Sequence, residues 1–105
     1  MLVLAACKSE VKPKPYWTEC ADLTWLTEIQ KIMGSAPDKR EIYAFRYKGQ
    51  IVFGIDDCTA CSDALYTVRD CTGKTVCLFG GIGGFNTCPD FADSATDRTL
   101  VYKNY

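Results

Sequence analysis

The chain contains no histidine. The commonest general base of hydrolytic enzymes is therefore missing, together with the commonest nitrogen ligand of metals, so a Ser or Cys nucleophile would need some other activation. Its serines, Ser9, Ser35, Ser62 and Ser94, lie in no nucleophile-elbow setting. Charge of one sign is lacking as well: 12 basic against 13 acidic residues leave a formal charge of −1. Affinity for nucleic-acid phosphates needs a surplus of clustered Lys and Arg, so a nucleic-acid partner is excluded. Long apolar runs are absent too, and no segment approaches the ~20 residues of a membrane span. There is no internal repeat.

Cysteine, by contrast, is abundant, with seven in 105 residues. That length holds one core, and that cysteine density belongs to small exported domains cross-linked in an oxidising compartment. The odd count has an explanation at the start of the chain, where Leu4-Ala5-Ala6-Cys7 has the pattern of a lipobox. Removing Cys7 as the acylated residue leaves Cys20, Cys58, Cys61, Cys71, Cys77 and Cys88 as disulfide candidates, enough for three bridges. A signal peptide carries a basic segment and an apolar stretch of about 7–15 residues, so the true precursor is expected to start upstream of Met1. Lys8, Lys12 and Lys14 interleave with Pro13 and Pro15 as an extended, semi-rigid tether. The expected organisation is a truncated signal peptide over 1–6, a lipid-anchored tether over 7–16 and one disulfide-rich globular domain over 17–105.

Within that domain Leu23, Leu26, Ile29, Ile32 and Met33 recur at helical steps, which predicts an amphipathic helix from Asp22 to Met33 stopped by Gly34. Glu41–Tyr47 and Gln50–Ile55 alternate around Lys48-Gly49, which predicts a tight hairpin. A second hairpin is predicted from Ala64–Asp70 and Lys74–Phe79, turning at Thr72-Gly73, and a last strand from Thr99 to Tyr102. The fold class that follows is α+β: one N-terminal helix packed on a small antiparallel sheet of four or five strands, stapled by disulfides. A two-residue turn would set Cys77 opposite Val68 and put Cys71 and Cys77 on opposite faces, so they should not bond to each other. Cys77 should face the core and pair with Cys88, Cys58 or Cys61.

A series of landmarks carries a resemblance. Trp25-Leu26 and Glu28-Ile29 stand in the helix, Tyr47-Lys48-Gly49 and Val52 in the first hairpin. Cys61 is followed by Leu65-Tyr66, Gly73 by Val76-Cys77, the glycines run from Gly80 to Gly84, and Cys88-Pro89-Asp90-Phe91 comes last. In this order they resemble a family of small, uncharacterised bacterial lipoproteins with a domain of unknown function. Adjacent cysteines in that family are replaced here by Cys58-Thr59-Ala60-Cys61, and a Gly-Asp-Gly by Phe85-Asn86-Thr87. The resemblance implies export, lipidation and disulfides, and no activity.

The sequence offers four candidate chemistries. Cys58 and Cys61 have dithiol spacing, but a thioredoxin-like motif opens a helix, whereas here two aspartates precede the pair and a strand is expected after it. A zinc site from Cys58, Cys61, Cys71 and Cys77 has the wrong spacing for a ribbon. Gly80–Gly84 lacks the Lys-Ser or Lys-Thr of a phosphate loop. Asp56, Asp57, Asp63, Asp90, Asp93 and Asp97 match no calcium-loop spacing. No catalytic residue, metal or cofactor is expected. The reading is an exported, membrane-anchored envelope lipoprotein held by a lipid on Cys7, its domain a non-catalytic binding or inhibitor-like module for an envelope protein partner. Its alternatives are a structural envelope protein without ligand and, behind that, a thiol-disulfide oxidoreductase using Cys58 and Cys61.

Overall fold

The structure, a computed structural model, describes residues 13–61, 64–81 and 83–105. Cys7 and the lipobox lie outside the described residues, as do Ser62, Asp63 and Ile82. The elements run as a 3-10 turn at Tyr16–Glu19, α1 at Thr24–Gly34, β1 at Glu41–Tyr47, β2 at Gln50–Asp56, β3 at Leu65–Asp70, β4 at Thr75–Gly80, β5 at Phe85–Asn86, a single turn of helix, α2, at Phe91–Ser94, and β6 at Thr96–Lys103. All six strands form one antiparallel sheet in the order β5-β4-β3-β2-β1-β6. The fold is thus mostly β, with six strands where four or five were expected and one helix of substance. Among the described residues no helix is long and apolar enough to cross a membrane.

The centre of the sheet, around β1 and β2, is buried on both faces, which is why these strands alternate between two kinds of apolar residue. One face carries Ile42, Ala44, Phe53 and Ile55, packed with Leu26 and Met33 of α1 and with Cys20. Phe53 is fully buried and meets the Trp17 and Trp25 rings edge-on at centroid distances of 6.1 and 5.5 Å. The other face carries Phe45, Tyr47, Val52, Val68 and Cys77. Its cover is Phe91, whose ring lies 5.1 Å from that of Phe45, 4.9 Å from Tyr47 and 5.7 Å from Phe79. Burying an aromatic side chain on this scale contributes about 1.5–3 kcal/mol each, so both layers matter to a domain this small.

The β1–β2 hairpin pairs Tyr47 with Gln50, and Lys48 and Gly49 both take positive φ, 51° and 77°. That is the two-residue turn whose twist matches the strands, and Gly49 meets its demand at no steric cost. The β3–β4 turn departs from expectation. Val68 does oppose Cys77, but Arg69 opposes Thr75, so a bulge enters and the loop is longer than Thr72-Gly73. The cause is Asp70, whose Oδ1 accepts from the Thr72 N–H at 2.9 Å, the Thr72 hydroxyl at 2.6 Å and the Lys74 N–H at 3.1 Å. These bonds hold the Asp70 carboxyl below the usual carboxylate range, the Thr72 hydroxyl foremost. Gly73 completes the loop at φ 90°, where a Cβ would stand 2.8 Å from the Trp25 ring.

Candidate functional site

The six cysteines of the domain form three bridges: Cys20–Cys71, Cys58–Cys61 and Cys77–Cys88. Two of them serve one face each. Cys71 packs with the α1 side, and its bond to Cys20 fastens the 3-10 turn there. Trp25 reinforces the same junction, its indole N–H donating to the Cys71 carbonyl at 2.9 Å. Cys77 is buried on the opposite face, and its bond to Cys88 delivers Phe91 to that core. Asp90 then ties α2 to the first hairpin, accepting from the Tyr47 hydroxyl at 2.8 Å and pairing with the Lys48 ammonium at 3.3 Å. Tyr47 and Lys48 accordingly hold the Asp90 carboxyl below its ordinary range.

Cys58–Cys61 is different, a local bridge across a single turn in which the Cys61 N–H donates to the Cys58 carbonyl at 3.2 Å. It follows β2 and opens no helix among the described residues. Asp56 accepts from the Cys58 N–H at 3.1 Å, and burial raises its carboxyl pKa, with Glu41 and Asp57 adding to the rise. Such acidic surroundings disfavour a thiolate, so the redox reading gains no geometric support.

The other expected constellations are dispersed. The four thiolates required by a zinc site are divided among the three bridges, and no group of three or more metal-ligating side chains occurs among the described residues. Of the aspartates, Asp57 faces Arg40 at 3.8 Å and Asp97 pairs with Arg46 at 3.0 Å, each engaged separately. Glycines 80, 81 and 84 shape the β4–β5 connection.

That connection carries the most conspicuous surface. Leu65 of β3 opposes Gly80 of β4, and Gly80 opposes Phe85 of β5, so the three form one cross-strand row. Alternation puts the row on the α1 face, beyond the part the helix covers. With no side chain at Gly80 between them, Leu65 and Phe85 stand open, 44% and 51% exposed. The Cys77–Cys88 bridge closes the hairpin beneath, and Thr87 locks it further: its N–H donates to the Leu78 carbonyl at 2.9 Å and its hydroxyl accepts from the Leu78 N–H at 2.9 Å. The result is an exposed apolar pair on a cross-linked hairpin. Sequence reasoning singled out the loop but neither Leu65 nor Phe85 as its apolar contacts, because their juxtaposition needs the β3–β4–β5 register.

No curated protein and no solved structure matches the chain. A family description does match, over residues 28–104, beginning inside α1 and taking in all six strands. Cys58, Cys61, Cys71, Cys77 and Cys88 fall within that span, and Cys20 precedes it. The chain belongs to the family described as Domain of unknown function (DUF6970).

Proposed function

We propose that the chain is an exported lipoprotein of the bacterial cell envelope whose domain is a non-catalytic binding or inhibitor-like module. The lipid on Cys7 anchors it, the segment around Pro13 and Pro15 spaces it from the membrane, and the domain presents its contact surface to an envelope protein. The lipobox pattern supports the address, and three bridges in a 105-residue chain support an oxidising compartment. The observation that carries the binding role is the Leu65–Gly80–Phe85 row on its disulfide-closed hairpin. Ordering such a loop before contact removes an entropic cost of about 0.5–1.5 kcal/mol for each side chain that would otherwise be immobilised on binding.

Both parts have direct tests. Full-length precursor expressed in bacteria should take up labelled palmitate and fractionate with membranes, and Cys7→Ser should abolish both; a soluble, unlabelled precursor ends the lipoprotein reading. Oxidised domain immobilised against envelope extract should retain a discrete protein that the Leu65→Asp/Phe85→Asp variant does not. Identical retention by both proteins would leave the structural, ligand-free envelope protein as the better reading.

A further inference from the structure

The second feature of the α1 face is an open groove of about 260 Å³ between the helix and the sheet. Its walls are of two kinds. Ile29, Ile32 and Met33 of α1 and Ile55 of β2 form an apolar side, while Arg40 and Arg69 bring two guanidinium groups to the same space. We propose that this groove binds a small amphipathic carboxylate, its head received by Arg40 and Arg69 and its short hydrocarbon chain laid along the isoleucines. The proposal does not depend on the Leu65–Phe85 row.

Among the described residues the lining itself holds two arginines and one acidic residue, Asp57, while Asp38 stands beside Arg40 outside the lining. Arg40 holds its acidic neighbours loosely, Asp38 at 3.7 Å and Asp57 at 3.8 Å, beyond good hydrogen-bond distance. Arg69 donates through Nη1 to the Gly73 carbonyl at 3.2 Å. The Nε atoms of both arginines are buried with no acceptor among the described residues. The remaining guanidinium nitrogens are the groups a groove ligand would meet, and a carboxylate is the acceptor whose geometry a guanidinium fork matches.

The groove is also preorganised. Asn104 clamps the Arg40 backbone from both sides: its Oδ1 accepts from the Arg40 N–H at 2.8 Å and its own N–H donates to the Arg40 carbonyl at 3.2 Å. The same side chain donates from Nδ2 to the Met33 carbonyl at 2.9 Å, which fixes Arg40 against the end of α1. Ile32 at the lip is 67% exposed, an apolar side chain left in water until a hydrocarbon covers it. A bare anion would leave the isoleucines unused, and an uncharged hydrocarbon would leave the guanidinium donors unanswered.

The test is calorimetric titration of the oxidised domain with hexanoate, with acetate as charge without tail and 1-hexanol as tail without charge. Hexanoate should bind at least about tenfold more tightly than either control, because hexanol loses the charged hydrogen bonds and acetate loses the apolar contact of the chain. Arg69→Gln should weaken hexanoate by about tenfold. Because Arg69 also supports the β3–β4 loop, Ile32→Glu provides a variant outside the core; it sets a negative charge at the lip and should weaken hexanoate by at least about tenfold while leaving the melting temperature unchanged. Hexanoate binding no tighter than acetate or hexanol, or undiminished in folded Ile32→Glu, would overturn the proposal.

Discussion

The Tyr66 phenol lies directly over Gly54: a Cβ built on Gly54 would stand 2.6 Å from the ring carbon that carries the hydroxyl. Tyr66 cannot simply swing away, because its ring stacks on Phe79 at a centroid distance of 5.0 Å. Burial also raises its hydroxyl pKa well above the ordinary value, so the phenol stays neutral across the physiological range. Gly54→Ala should therefore destabilise the domain by about 1–3 kcal/mol, the usual cost of forcing volume into a packed layer. Denaturant titration of a double-mutant cycle checks the cause, since the same substitution in a Tyr66→Ala background should cost much less. An equal cost in both backgrounds would place the strain elsewhere.

The three bridges should contribute unequally. Their sequence separations are 51, 11 and 3 for Cys20–Cys71, Cys77–Cys88 and Cys58–Cys61. Loop-closure entropy then gives about 4, about 3 and under about 2 kcal/mol. Paired Cys→Ala variants followed by urea unfolding should reproduce that order, with loss of Cys58–Cys61 the mildest. A Cys58→Ala/Cys61→Ala variant less stable than the Cys20→Ala/Cys71→Ala one would contradict the division between face-closing and local bridges.

Asp56 gives the domain a pH dependence of known sign. Its carboxyl pKa is raised chiefly by burial, against about 3.9 in an unstructured chain. A raised carboxyl favours the folded state in its protonated form, so this contribution is fully present below the unfolded value and is lost as pH rises through the folded one. Asp56→Asn keeps an acceptor for the Cys58 N–H and removes the charge. Its melting temperature should exceed that of the wild type at pH 7, and the gap should close near pH 3. A gap that widens on acidification would show the carboxylate to be stabilising instead.

How much of this was legible in the sequence varies by element. Glu41–Tyr47 reads out of its alternation with correct bounds, because Lys48-Gly49 fixes the turn and the turn fixes the register. Opposite faces for Cys71 and Cys77 also follow from alternation, although the bulge at Arg69 was hidden in the side-chain bonds of Asp70. The second layer was not legible. Ile42 and Ala44 on one face and Phe45 and Tyr47 on the other already imply two buried faces, but the only periodic helix can cover one. The cover for the other is the four residues Phe91–Ser94, too short to show a period, whose place is set by Cys77–Cys88 and by Phe91 meeting three distant rings. β5 escaped notice because its two residues pair only at Phe79 and Gly80, and the Arg40–Arg69 groove because it joins residues 29 apart through β2 and β3.

The most direct test of the binding role is site-specific photocrosslinking in cells that natively make the protein. A benzoylphenylalanine at position 85 should yield one discrete adduct with an envelope protein, and the same probe at Lys31, on the exposed side of α1, should yield none. Absence of any adduct at position 85, or the same set of adducts from both positions, would contradict the assignment of the Leu65–Phe85 row as the contact surface.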